Sequence, residues 1–133
     1  MIFIDTGAFL ARSVARDQYH GPATAYWRKL ESQRTPCWTS NFVLDETITL
    51  LGRTCGNPFA HDRAQAIYAS HVLTVLRPDA GVEREALAWF QKYADQDVSY
   101  TDCISFELMR RHGLKRVFTF DEHFRLAGFT VVP

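Results

Sequence analysis

No stretch of this sequence approaches the roughly 18–20 consecutive apolar residues of a membrane-spanning helix, because charge, glycine or proline interrupts every apolar run within a few positions. The opening "MIFIDTGAFL" has no basic leader and meets a carboxylate at position 5, so it reads as neither a signal peptide nor an anchor. Cysteine is scarce as well. Cys37, Cys55 and Cys103 are odd in number, widely spaced and free of any C-x-x-C pattern, which excludes a disulfide framework and a zinc knuckle and suits a reducing cytoplasm. Nor is there an excess of either charge: 15 basic and 15 acidic residues balance to zero. A protein that coats nucleic acid through bulk charge is thereby excluded, and only local patches are left to act. Repeats, low-complexity tracts and linkers are absent.

What is present is an ordinary core. The 133 residues are 47% hydrophobic and 14% aromatic, enough for one domain that buries roughly two thirds of its unfolded surface. Hydrophobic periodicity gives strands and helices in alternation. "MIFID" reads as a strand followed at once by a helix from Thr6 to about Val14. "GPATAYWRKLESQ" is an amphipathic helix with Pro22 near its start, and "PCWTS" is a short strand. Ser40 can cap a helix through "NFVLDETITLLGRTC", which the breaker Gly56-Asn57-Pro58 ends. "FAHDRAQAIYASH" is the next helix and "VLTVL" the next strand. Asp79 can cap "AGVEREALAWFQKYA", and a helix through "SYTDCISFELMRRHG" ends at Gly113. "RVFTF", the short helix "EHFRLAG" and the strand "FTVV" complete the chain. Such alternation predicts a parallel sheet covered by helices on both faces with right-handed crossovers, where function gathers at the carboxyl ends of the strands.

Two aspartates are set at that edge by the pattern, and a third, at a helix start, joins them as a candidate. Asp5 ends the first strand, Asp121 follows "RVFTF" directly, and Asp102 stands at a helix start three residues after Ser99. Each can also be read as a helix cap, and Ser99 with Asp102 has the form of a capping box. A fourth acid comes from helix phase. Asp45 and Glu46 are adjacent and so point about 100° apart. Glu46 shares its face with Phe42, Val43 and Leu50, whereas Asp45 has Asn41 and Thr49 in the equivalent places. Glu46 is therefore the acid drawn into an apolar stripe and Asp45 the solvent-facing one, with a buried salt bridge to an arginine as the alternative for Glu46.

In this order, "FIDTGAFL", "SNFVLDETITLL", "SYTDCISFELMRRHGL" and "VFTFDEHFRLAGF" resemble PIN-domain ribonucleases, particularly the toxins of VapBC-type toxin–antitoxin pairs. The resemblance spans nearly the whole chain and implies a single PIN-like domain over residues 1–133, an α/β fold of three α/β/α layers around a mainly parallel sheet. It implies that Asp5, Glu46, Asp102 and Asp121 hold a divalent metal, with Thr6 and Thr119 as supporting partners. It also implies a small antitoxin, whose tail would block the pocket with a basic side chain, and a homodimer. Carboxylate oxygens suit Mg2+ or Mn2+, and four clustered acids would repel phosphate without one. The expected activity is hydrolysis of RNA phosphodiester bonds. A non-toxin PIN nuclease in RNA processing and a non-catalytic PIN-like binding domain are the alternatives. A haloacid-dehalogenase-like phosphatase would need an acid at position 7, where glycine stands.

Other residues fit less demanding roles. Arg110, Arg111, Lys115 and Arg116 surround the Gly113 turn and could grip an RNA backbone, although a basic helix end is more often a solvated, dipole-favoured face. His123 suits a structural hydrogen bond better than a general base. Trp27, Trp38 and Trp89 fall at core positions and would stack on bases only if exposed. Asp97, in "DQDVSY", reads as loop.

Overall fold

The computed structural model describes residues Met1 to Pro133. Strands β1 (Ile2–Ile4), β2 (Cys37–Ser40), β3 (Leu73–Leu76), β4 (Arg116–Phe118) and β5 (Thr130–Val132) form one sheet in the order β3-β2-β1-β4-β5. Every neighbouring pair is parallel, so the mainly parallel sheet expected from the alternation is parallel throughout. The helices are α1 (Thr6–Ser13), α2 (His20–Ser32), α3 (Asn41–Cys55), α4 (Asn57–Tyr68), α5 (Ala80–Lys92), α6 (Tyr100–Arg111) and α7 (His123–Leu126). Helix α1 packs on α2 and α3, and α3 on α4, whereas α5 packs on α6. Right-handed crossovers put these two groups on opposite faces, giving three α/β/α layers. No helix is long and apolar enough to cross a membrane.

The chain reverses its direction of travel across the sheet at β1. From β1 it steps to β2 and β3, then returns to place β4 on the other side of β1. The gap beyond the carboxyl ends of β1 and β4 is therefore the topological switch point, where open parallel sheets bind ligands. Ile2, Phe3 and Ile4 are wholly buried because β1 is central and covered on both faces. Register pairs Phe3 with Val117 and Ile4 with Phe118, so the residues that follow, Asp5 and Thr119, come out beside one another.

Expected caps are present where the residue chemistry asked for them. Ser40 Oγ accepts from the Val43 N–H at 3.1 Å and Asp79 Oδ1 from the Val82 N–H at 2.9 Å. Gly113, at φ 64°, ends α6, with the Leu114 N–H reaching back to the Met109 carbonyl at 2.9 Å. Helix α6 departs from the amphipathic form: all residues from Asp102 to Met109 are buried. It lies between α5 and the sheet and has no wet face over those two turns.

Candidate active site

Asp5 leaves β1 at the N-cap position of α1 with its side chain making no capping bond. Instead its Oδ2 accepts from the Thr119 hydroxyl at 2.8 Å, across the β1–β4 junction that register created. Thr119 Oγ1 in turn accepts from the Asp121 N–H at 3.1 Å, fixing the turn that carries the next acid. Asp121 Oδ1 accepts from the His123 N–H at 2.9 Å and lies 2.7 Å from the His123 ring Nδ1. Asp102 completes a capping box with Ser99: its Oδ2 accepts from the Ser99 N–H at 3.1 Å while Ser99 Oγ accepts from the Asp102 N–H at 3.0 Å. Glu46, on the second turn of α3, accepts from the Thr6 hydroxyl through Oε2 at 3.0 Å.

One pattern runs through these contacts. In each of the four acids one carboxylate oxygen is held by a protein donor and the other has none. For Asp5 the bare atom, Oδ1, is fully buried. A buried acceptor with no partner is costly and rare. Burial is the main reason that the Asp5 carboxyl is pushed up to about 7; Asp102 and Glu46 add to it, while the Thr119 hydroxyl and the nearby Thr6 N–H pull the other way. Asp102 is pushed up to about 6, again chiefly by burial, with Asp121 and Glu46 adding repulsion and Ser99 opposing. The acids thus feel one another as a cluster.

All four line a single pocket of about 680 Å³. Its wall also holds Asp17, Asp97 and Glu122, so seven carboxylates and one histidine face it and no lysine or arginine does. A cavity of about 260 Å³ elsewhere is lined by Phe9, Trp27, Cys37 and Ile67. Its carboxylate, Glu31, is already paired with Arg12 at 2.8 Å, and burial pushes the Cys37 thiol up to about 11, so neither is a ready base or nucleophile. The quartet's donor set is all oxygen, which fits magnesium or manganese, and the bare buried Asp5 Oδ1 is the atom a cation would satisfy. No three acids or histidines close on a common point as a finished single-ion cage does. Ions that keep several waters and lean on one or two carboxylates do not need such a cage.

The PIN domain family matches residues 2–129. This chain belongs to that family. VapC20 of Mycobacterium tuberculosis, a 23S rRNA-specific endonuclease, is 39% identical over 132 residues, covering 99% of this chain and 98% of that protein. A VapC ribonuclease of Archaeoglobus fulgidus is 30% identical over 127 residues, or 92% of this chain and 78% of the relative. The crystal structure of Mycobacterium tuberculosis VapC20, described as a sarcin-ricin loop cleaving toxin, matches with a TM-score of 0.86 at 37% identity, covering 98% of this chain and 97% of that one. DNA-bound VapBC from Salmonella typhimurium shares the fold at 15% identity and a TM-score of 0.65, covering 98% of this chain and 97% of that one.

Within this PIN domain the residues singled out by sequence separate into two places. Asp5, Glu46, Asp102, Asp121, Thr6 and Thr119 all line the pocket. Asp45 is exposed and outside it, and Glu46 has no arginine partner, so the helix phase separated the two acids in the right sense. The basic cluster is elsewhere. Arg110 and Arg111 lie about 13 Å along α6 from Asp102 at 1.5 Å per residue, and Arg116 begins β4 at the opposite edge of the sheet. Both helix arginines are engaged with Glu107, Arg110 through two hydrogen bonds and Arg111 through one at 2.8 Å. The grip considered for this cluster does not meet the acids. Trp27 is buried, while Trp38 and Trp89 are half-buried against the core.

Several pocket residues escaped the sequence. Asp97 is in a loop as expected, yet it lines the pocket, as do Asp17, Tyr19, Phe120 and Glu122. Tyr19 lies in the turn before α2, where "DQYHGP" gives only a polar turn signal around one aromatic. Ser99, read as a cap alone, is also what orients Asp102.

Proposed function

We propose that this PIN domain is a divalent-metal-dependent ribonuclease that hydrolyses RNA phosphodiester bonds as the toxin of a toxin–antitoxin pair, with large-subunit ribosomal RNA as its substrate. The observation that carries the chemistry is the half-held quartet: four acids in one pocket, each with one oxygen fixed and one bare. Asp5, Asp102 and Asp121 would hold the ion. When bound, magnesium or manganese supplies the charge that draws a phosphate into this acidic pocket and activates the attacking water. Thr119 and Ser99 turn the free oxygens of Asp5 and Asp102 inward, and the His123 N–H does the same for Asp121. Glu46 is less buried than Asp5 and is steadied by Thr6. Its free Oε1 is the atom that would orient the water and take its proton.

The 39% identity to a 23S rRNA-specific endonuclease over almost the whole of both chains supports ribosomal RNA as the substrate. The toxin description of the same relative, and a pocket with seven acids and no cation, support an antitoxin that inserts a basic side chain. Leu87 and Phe90, 57% and 44% exposed on α5, give a homodimer an apolar surface to cover. Three free cysteines suit the cytoplasm.

Purified protein incubated with 23S rRNA should produce discrete fragments with magnesium or manganese and none with chelator. A saturating cognate antitoxin should suppress them, and the free protein should elute at twice its 15.3 kDa mass. Undiminished cutting in chelator would sink the metal assignment, and intact RNA under all metal conditions would sink the nuclease.

A further inference from the structure

The pocket wall offers RNA no lysine or arginine, so beyond the charge a bound ion would supply, no protein cation near the cut is there to position the substrate. At the rim, the rings of Tyr19 and Phe120 stack with centroids 4.4 Å apart and planes 3° from parallel. Both line the same pocket as the quartet. Phe120 is half-buried and backed edge-on by Phe118 at 6.1 Å, and Phe118 is fully buried beneath Trp27. The series runs from core to rim and ends at Tyr19, which is 40% exposed.

Tyr19 is also held in place. Its N–H donates to Asp17 Oδ1 at 2.8 Å and its carbonyl accepts from the Ala23 N–H at 2.9 Å. The neighbouring His20 ring is fixed 2.8 Å from the Ala11 carbonyl. These bonds fix the backbone that carries the ring; one ring face lies on Phe120 and 40% of the residue is left open to solvent. Phe120 sits between Thr119, which holds Asp5, and Asp121 in the chain. Whatever stacks on Tyr19 is thus in fixed register with the acids.

We propose that Tyr19, supported by Phe120, is a base-stacking platform that takes one unpaired nucleobase next to the scissile phosphate. The proposal rests on the ribonuclease reading above and deepens it: the substrate at this site is a looped or splayed strand, since a base inside a duplex has no free face to offer. Stacking needs no cation and tolerates any base, which fits a pocket whose only charge is negative. Tyr19 is a specificity determinant for unpaired RNA and takes no part in the bond-breaking itself.

The test uses the full chain and an RNA hairpin whose loop contains the mapped cut. Tyr19→Ala and Tyr19→Leu should each raise KM about ten-fold with kcat within about two-fold, and Tyr19→Trp should keep KM near or below the wild-type value. Leucine separates stacking from packing, because it covers Phe120 but offers no π face. A hairpin with an abasic residue beside the cut should have the same raised KM with wild-type and Tyr19→Leu proteins. Wild-type KM for Tyr19→Leu, or a ten-fold gap that persists on the abasic hairpin, overturns the platform. A second readout is independent of turnover: 2-aminopurine in the loop should be quenched on rapid mixing with wild type and not with Tyr19→Leu. Quenching without any cleavage would leave the platform standing and reject the nuclease, whereas cleavage with neither a quench nor a KM change would do the reverse.

Discussion

At Asp102 a helix cap and a pocket acid are the same residue using different oxygens. Oδ2 closes the box with the Ser99 N–H, and the other oxygen has no protein donor. The cap reading is realised through Oδ2, and the other oxygen stays free for the metal-holding role proposed above. Asp102→Asn separates the two, because an amide oxygen can still accept from Ser99 while the charge and the free carboxylate oxygen are lost. RNA cleavage should fall below detection, and the metal-free protein should melt higher near neutral pH, since burial and the neighbouring acids already push the carboxyl up to about 7 at Asp5 and about 6 at Asp102. A clear drop in the melting temperature in chelator would return Asp102 to the role of cap. Glu46 and Asp45 were separable in the sequence because a helix turns by a fixed angle per residue. The Asp5–Thr119 bond was not readable from pattern, although the resemblance named Thr119 as a supporting partner, because the bond depends on strand register, and register is set by packing that no single strand encodes.

Helix α6 was legible as an element and misleading as a surface. Its basic end, "MRRHG", reads as a solvated terminus and both arginines are exposed, yet each also reaches back to Glu107, which is 1% exposed. Burial pushes the Glu107 carboxyl upward, but Arg110, Arg111 and the Trp89 indole N–H, which donates at 3.1 Å, hold it down to about 2. Trp89 belongs to α5, so this buried carboxylate fastens the helix that carries Asp102 to the helix that covers it. Sequence periodicity assumes one wet face, and a helix enclosed between α5 and the sheet has none along its middle, which is why Glu107 gave no signal. Glu107→Gln keeps one acceptor and removes the charge. It should lower stability by about 2 kcal/mol, within the range for charge-assisted hydrogen bonds, as the exposed arginines resolvate. Denaturant midpoints would measure that loss, and kcat on RNA should stay within about two-fold because the pocket is one to two turns away. A collapse of kcat with unchanged stability would mean that Glu107 acts on the site itself.

Across the whole molecule, a formal net charge of zero conceals a local separation: seven acids line one pocket that no lysine or arginine lines. That separation makes stability depend on pH and metal together. Asp5 is raised from 3.8 to about 7 and Asp102 to about 6, so the folded, metal-free chain binds these protons more tightly than the unfolded one. Their contribution is fully present below about pH 4 and is lost as pH rises through 6 and 7, by up to about 1.4 kcal/mol per pH unit for each group. Glu107 has the opposite sign. Lowered from 4.5 to about 2, it contributes fully above its unfolded value and loses that contribution as pH falls toward 2. The two trends cross, and with chelator present the melting temperature should peak near pH 4–5 rather than at neutrality. An ion that binds only the folded state removes the penalty for ionised acids. At one hundred times its dissociation constant, manganese should add about 2.7 kcal/mol at pH 7, on the order of 10 °C for a chain of this length. At pH 4, where Asp5 and Asp102 are protonated in the folded protein, the same concentration should add little. Thermal scans from pH 3 to 8 with chelator or manganese would read both effects, and a manganese shift of equal size at pH 4 and pH 7 would mean that the ion binds somewhere other than these acids.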